Sequence, residues 1–179
     1  MNIEKSHLSG LKAIRELPTF GDERGSFQMW WRSDWDDPDI ASIEFRQLNV
    51  ASNLQRGVTR GSHVAPWDKY AHPLYGTGFA VIVDARAGSP TFGEVDYFEL
   101  TATDALFIPR GCGHAYQAVT DLLIYGYGVN ELWANSSQEQ GVSLLDSRFA
   151  SVPWPIEDRE AWVMSDKDRT APSFHDVFG

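Results

Sequence analysis

The feature that most constrains this chain is a series of short strand-like segments separated by turn-forming residues. The segments show alternating or continuous apolar residues and occupy residues 43–50, 79–83, 95–100, 105–108 and 122–127. Clusters of Gly, Pro, Asn and Ser lie between them at residues 88–90, 109–111 and 135–137. Many short strands joined by such turns are typical of a β-sandwich or β-barrel, and either architecture holds a small ligand in its mouth.

Helical signal is scarce along the chain. Residues 34–41 fit one short helical turn, which Pro38 limits. Residues 151–179 contain three prolines among acidic residues, so we predict an irregular tail that wraps the barrel, with a short helix near 157–162. Because no repeat or linker divides the sequence, we predict one domain over residues 1–179.

Composition excludes several classes of protein. The 25 Asp and Glu residues against 15 Lys and Arg give a net charge of −10, so a nucleic-acid backbone would be repelled. A local basic cleft for a small anion is still compatible with this charge. We expect a soluble cytoplasmic protein without a membrane partner, because no apolar run has membrane-spanning length and no signal peptide begins the chain. The single cysteine, Cys112, excludes an internal disulfide and a cysteine-based zinc site.

The strongest local feature is Arg60-Gly-Ser-His63 followed by Lys69, three basic residues within ten positions of an acidic chain. One interpretation is an anion site with a titratable base beside it, and the other is a solvated loop with ordinary surface cations. In a regular strand Arg60 and His63 point to opposite faces. A bulge at Gly61 would bring the two side chains together.

Other candidates carry a chemical and a structural interpretation side by side. His114 ends a Gly-rich turn and is either a catalyst or a structural hydrogen-bonding residue. Tyr125 and Tyr127 share one face of a strand, so one of them can belong to the core and the other can donate a proton. The segment 165–168 alone is typical of a solvated charge run.

A metal site built from His63, His72 and His114 is geometrically conceivable. The His-x-His spacing of metal-dependent β-barrel enzymes is absent, because Ala65 follows His63 at two residues. Motifs for nucleotide cofactors and hydrolase triads are also absent from the sequence.

A series of short motifs occurs in one order along the chain. They are Phe20-Gly-Asp-Glu-Arg-Gly25, Gln47-Leu-Asn49, Arg60-Gly-Ser-His63, Lys69, Asp84-Ala-Arg86 with Ser89-Pro-Thr-Phe-Gly93, Ile108-Pro-Arg-Gly-Cys-Gly-His114, Tyr127, Trp154-Pro155 and Ser165-Asp-Lys-Asp168. With these motifs the chain resembles the dTDP-4-dehydrorhamnose 3,5-epimerases, metal-independent members of the cupin superfamily, over nearly its whole length. The resemblance implies an all-β fold: a cupin-like double-stranded β-helix, or jelly-roll barrel, with a few short helices.

The same resemblance implies an isomerase that epimerises a nucleotide-linked 4-keto-6-deoxy sugar, dTDP-linked, without a metal or another cofactor. His63 would be the catalytic base and Asp168 its orienting carboxylate. Tyr127 would be the acid on the opposite face of the sugar, and Lys69 would stabilise the enolate oxygen. These residue types suit the chemistry, since the C–H bonds beside a ketone are acidic.

The resemblance also implies a substrate-binding set and a partner. The residues that would contact substrate are Arg24, Gln47, Asn49, Arg60, His114, Trp133 and Lys167. Rim aromatics such as Trp30 or Trp133 would hold the nucleotide base. The expected partner is a second copy, in a homodimer whose N-terminal strand crosses between subunits.

The chain departs from the family pattern mainly in recognition residues. Ser62 stands where Leu is usual, Met29 replaces a Glu of the first strand, and Trp133 stands where the family often has Tyr. The region after His63 is also shorter. The catalytic set is intact, so the open alternatives are a C3-only epimerase, a 3,4-ketoisomerase of a nucleotide sugar, and a non-catalytic sugar-nucleotide-binding cupin.

Overall fold

The computed structural model describes residues 1–134 and 138–179, so the turn expected at 135–137 lies outside the described residues. The strands in the first half of the chain are β1 (Asn2–Lys5), β2 (Lys12–Arg15), β3 (Thr19–Asp22), β4 (Gly25–Gln28), β5 (Gln47–Asn53), β6 (Thr59–Val64) and β7 (Lys69–Tyr75). The later strands are β8 (Gly78–Asp84), β9 (Val95–Leu100), β10 (Ala105–Ile108), β11 (Cys112–Ala118), β12 (Leu123–Val129) and β13 (Gln140–Gly141). The α-helices are α1 (Pro38–Ala41), α2 (Asp166–Arg169) and α3 (Phe174–Phe178).

Two antiparallel sheets form the barrel. One has the strand order β1-β2-β10-β7-β12-β5 and the other has the order β13-β6-β11-β8-β9. A core cluster between them joins Ala71, Leu106 and Tyr125 of the first sheet to Ala80, Ile82 and Tyr116 of the second. This arrangement confirms the predicted cupin-like jelly-roll fold. The hairpin β3–β4 forms a separate two-stranded sheet.

The continuous apolar run 79–83 is explained by burial of both faces of β8. Ala80 and Ile82 face the core between the sheets, whereas Phe79, Val81 and Val83 pack under the C-terminal segment. That segment contributes Trp154, Trp162 and Phe174 to the outer cluster. The predicted wrapping tail is therefore present, and its short helix is a 3₁₀ turn over Arg159–Ala161.

Two sequence predictions need correction. The strand predicted to begin at 43 begins at Gln47, and Ile43 and Phe45 instead pack in a cluster with Tyr70 on the outside of the first sheet. Pro38 does not limit a helix over 34–41 but begins α1, where its missing N–H would have no intrahelical partner anyway. Among the helices of the described residues, none is long and apolar enough to cross a membrane.

Candidate active site

A cavity of about 690 Å³ lies between the two sheets, with walls from β5, β7 and β12 on one side and β6 and β11 on the other. It brings together ten residues that the sequence predicts for the site. They are Gln47, Asn49, Arg60, His63, Lys69, His114, Tyr127, Trp133, Lys167 and Asp168. The cavity therefore collects five basic or imidazole side chains and the phenol of Tyr127 in a chain that is acidic overall.

An irregularity in β6 places Arg60 and His63 in the same cavity. The register between β6 and β11 shifts between His114 and Tyr116. Gly61 has a φ of 97°, and a Cβ at this position would lie 2.5 Å from the carbonyl oxygen of His114. Only glycine fits such a backbone and such a close approach. The bulge predicted at Gly61 is confirmed.

His63 and Asp168 form a directly bonded pair on the wall that β6 provides. Nε2 of His63 lies 2.8 Å from Oδ1 of Asp168, and Ser165 caps helix α2, which presents that carboxylate. Burial opposes ionisation of Asp168, but the hydrogen bond and charge of His63, together with hydrogen bonds from Gly61 and Ser165, outweigh it and lower the pKa of the carboxyl. A carboxylate only accepts hydrogen bonds, so Nε2 carries the ring proton. Nδ1 is then left with a free lone pair, which can act as a base.

Lys69 and Tyr127 lie on the opposite wall, on the neighbouring strands β7 and β12. The Nζ atom of Lys69 is 5.2 Å from the centre of the Tyr127 ring. Burial lowers the pKa of Lys69 to about 8, while Glu139 opposes the shift. Burial and Glu139 also raise the pKa of Tyr127, so its phenol keeps its proton at neutral pH. This wall therefore offers an ammonium beside an O–H donor.

His114 lies on β11 directly across from His63. Burial and the charges of Lys69 and His63 hold the pKa of His114 well below its ordinary value. His114 is therefore a neutral imidazole at physiological pH.

The mouth of the cavity is polar and partly aromatic. The side chain of Gln47 donates to Asn49 at 2.7 Å and accepts from the backbone N–H of Trp133 at 3.0 Å. The Trp133 ring is about half exposed, so one face is available to a planar ligand. Arg60 donates to Asn53 at 2.9 Å, which fixes its guanidinium at the cavity wall.

Two predicted contacts lie away from this cavity. Arg24 is at the exposed tip of the β3–β4 hairpin, where it pairs with Asp22. Trp30 packs on the outer face of the first sheet against Gly126 and the ring of His72, at 4.4 Å between ring centres. Trp30 is therefore not a rim aromatic of this cavity.

The conceivable three-histidine metal site is not assembled. His63 and His114 line the cavity, whereas His72 is fully buried beside Trp30 and outside the cavity lining. Within residues 1–134 and 138–179, no group of three or more His, Cys, Asp or Glu side chains is arranged to hold a metal ion.

The cavity residues that sequence reasoning missed include Trp67, Tyr116 and Glu139. Tyr116 lies two residues after His114 on the same strand, so the alternation of β11 predicts that it shares that face. Glu139 lies in a connecting segment, where no periodicity indicates the direction of a side chain. Trp67 precedes Lys69 by two residues, just ahead of the strand that Lys69 begins.

A jelly-roll barrel in which an imidazole–carboxylate pair faces a phenol and an ammonium defines a cupin-type isomerase that works by proton transfer. Comparison with known proteins gives the family. The model of the dTDP-4-dehydrorhamnose 3,5-epimerase family matches residues 5–176, and the chain belongs to this family.

Individual relatives can be aligned with this chain over most of their length. The dTDP-4-dehydrorhamnose 3,5-epimerase of Mycobacterium tuberculosis is 35% identical over 164 residues, which cover 87% of this chain and 79% of the relative. The crystal structure of the Legionella pneumophila 3,5-epimerase in complex with dTDP-4-keto-L-rhamnose has a TM-score of 0.83 and 28% identity, covering 97% and 93% of the two chains. A 3'-monoepimerase of Streptomyces bikiniensis with dTDP-quinovose has a TM-score of 0.82 and 28% identity, covering 95% and 86%.

Proposed function

We propose that this protein is an epimerase of a dTDP-linked 4-keto-6-deoxy sugar. The observation that carries the proposal is the placement of a base and an acid on opposite sheets of one cavity, with His63 on β6 and Tyr127 on β12. Inversion at carbon requires that the proton leaves from one face and returns on the other. The family membership and the dTDP-sugar complexes of the relatives support the same substrate class.

The first half-reaction uses the His63–Asp168 pair. Nδ1 of His63 takes the proton from a carbon next to the C4 ketone, and the electron pair of the C–H bond forms a carbon–carbon double bond. The ketone oxygen becomes an enolate oxygen. Lys69 stabilises that negative charge, and Asp168 stabilises the imidazolium that His63 becomes.

The second half-reaction uses Tyr127. Its phenol gives a proton to the same carbon from the opposite face, and the enolate returns to a ketone with inverted configuration. The Lys69 ammonium, 5.2 Å from the ring, stabilises the transient phenolate. Solvent then takes the proton from His63 and restores the proton of Tyr127, so the cycle needs neither a metal nor a redox cofactor.

The cations and the exposed indole account for binding of the nucleotide. Arg60 and Lys167 are positioned to pair with the diphosphate, since both line the cavity mouth together with polar groups. Trp133 offers a half-exposed ring on which the base can stack.

The test is incubation with a panel of dTDP- and UDP-linked 4-keto-6-deoxyhexoses in heavy water, followed by NMR. We expect deuterium at both C3 and C5 of a dTDP-linked sugar and inversion at those carbons. Uptake at C3 alone identifies a monoepimerase, and a 3-keto product identifies a ketoisomerase. Absence of exchange at either carbon with every sugar of the panel contradicts the proposal.

We further propose a homodimer in which the N-terminal segment crosses to the second copy. The separate β3–β4 hairpin exposes Phe20 and Phe27 at 58% and 65%, which is unusual for large aromatic side chains. Strand β5 is an edge strand whose outer face exposes Leu48 and Val50. An exchanged hairpin would cover such apolar surface and carry Arg24 to the cavity of the other subunit.

We expect the double variant Phe20→Ser/Phe27→Ser to shift the mass measured by light scattering from a dimer to a monomer. Arg24→Ala should keep the dimer mass and raise the KM for the dTDP sugar about tenfold, since a charge-assisted hydrogen bond is lost. Leu145→Ser is the matched control, because Leu145 is also exposed but belongs neither to the hairpin nor to β5. A monomeric wild type, or an unchanged KM in Arg24→Ala, contradicts this arrangement.

A further inference from the structure

The hydroxyl of Tyr125 is a buried polar group that the mechanism above does not use. Tyr125 lies on β12, two residues before Tyr127, and is fully buried with its ring stacked on Tyr116 at 4.2 Å between centres. Its hydroxyl oxygen is 3.2 Å from Nε2 of His114. Since β12 and β11 belong to different sheets, this hydrogen bond crosses the interior of the barrel.

The direction of this hydrogen bond follows from the partners of each group. A neutral imidazole has one N–H donor and one acceptor nitrogen, so either tautomer of His114 can meet a hydroxyl. Burial raises the pKa of Tyr125 well above its ordinary value, so its hydroxyl keeps a proton that needs an acceptor. Within the described part of the chain, Nε2 of His114 is the one acceptor bonded to that hydroxyl.

A buried hydroxyl without an acceptor is unfavourable, because it loses the hydrogen bond that it makes to water in the unfolded chain. Tyr125 therefore donates and Nε2 of His114 accepts. The proton of the neutral ring is then on Nδ1, and the side chain of His114 lines the cavity in this form.

We propose that Tyr125 is a positioning residue that holds His114 in the Nδ1–H tautomer, so that a neutral imidazole donates a hydrogen bond to the substrate as negative charge develops on its ketone oxygen. This inference rests on the proposed epimerase function. Without the Tyr125 hydroxyl, the ring is free to carry its proton on Nε2. Nδ1 would then present a lone pair, which repels an anionic oxygen.

The tautomer is measured directly by proton–nitrogen NMR of the histidine rings in ¹⁵N-labelled protein, with the His114 signals assigned through His114→Gln. In the wild type we expect a protonated Nδ1 and an unprotonated Nε2. In Tyr125→Phe, which removes one oxygen atom, we expect the preference for Nδ1–H to weaken, so that signals of the Nε2–H form appear beside those of the Nδ1–H form. The kcat should fall about tenfold, as expected for one lost constraint on a donor, while KM changes little.

Tyr70→Phe is the matched control. Tyr70 also has a buried hydroxyl, which donates to the carbonyl oxygen of Trp30 at 2.9 Å in a cluster outside the cavity. Its removal should leave the His114 signals and kcat unchanged.

A wild type with a protonated Nε2 overturns the inference, and so does a Tyr125→Phe variant with unchanged tautomer and kcat. The wild-type spectrum needs no turnover, and the assignment variant His114→Gln is the only variant it requires. Failure of the epimerase proposal in the heavy-water experiment is therefore distinguishable from failure of this one.

Discussion

His63→Ala is expected to lower kcat by about 10²- to 10⁴-fold and to reduce deuterium uptake at C3 and C5 by the same factor, because general-base catalysis contributes that much. The variant removes the nitrogen that we propose takes the proton but leaves the other cavity residues and their cations in place. Thermal stabilisation by dTDP should therefore persist. Turnover is measured by NMR in heavy water, as for the wild type.

Asp168→Asn tests the same pair from the carboxylate side. The amide removes the charge that stabilises the imidazolium, and its NH₂ group can leave the ring in the wrong tautomer, so a large loss of kcat is expected. Because the two residues act as a unit, the double variant should be little worse than His63→Ala alone.

His7→Ala is the matched control for the base assignment. His7 is an exposed imidazole beside Glu94 and Asp96, so it also has carboxylate neighbours but does not line the cavity. It should retain wild-type kcat. Deuterium uptake by His63→Ala within tenfold of the wild type would exclude His63 as the base.

The sequence predicts strand bounds well where both faces of the strand are buried. It predicts them less well where a neighbouring non-strand segment is also partly buried. The run 79–83 is continuous and apolar because β8 is buried on both sides, and its bounds are nearly correct. The segment 43–50 alternates equally well, but Ile43 and Phe45 belong to a covering segment rather than to the strand. Alternation reports which side chains are buried, and it does not report whether a ladder of hydrogen bonds is present.

The site depends on contacts that no local pattern contains. His63 and Asp168 are 105 residues apart in the sequence, and composition alone favours a solvated charge run around Asp168. The prediction of a solvated run is correct for Asp166 and Lys167, which are exposed, and wrong for Asp168. Asp168 is the one buried residue of α2. The resemblance to a family supplied that pairing, whereas the bulge at Gly61 was predictable from residue type and spacing.

The placement of aromatic residues was the least predictable part. Trp30 and Trp133 have the same side chain, but Trp30 covers the outside of a sheet and Trp133 lies at the cavity. Gly126 explains the difference, because its missing side chain leaves room for Trp30 on the face opposite Tyr125 and Tyr127. A glycine in one strand thus sets the position of a residue almost a hundred positions earlier in the chain.

Tyr127→Phe is expected to separate proton removal from inversion. Reprotonation from the face opposite His63 should slow by about 10²- to 10⁴-fold, since the variant removes the general acid that we propose for that face. Proton removal by His63 should continue, and the imidazolium, whose ring is partly exposed in the cavity, can exchange its proton with solvent. Deuterium should then enter the substrate with retained configuration.

Deuterium exchange with retained configuration is the result expected if His63 and Tyr127 act on opposite faces of the sugar. If the Tyr127 hydroxyl had only a structural role, its removal would disturb substrate binding. Exchange and inversion would then fall together. Tyr97→Phe is the control, since Tyr97 is an exposed tyrosine on β9 outside the cavity lining. Inversion by Tyr127→Phe at the wild-type rate would mean that another group delivers the proton, and Tyr127 would then lose its role as the acid.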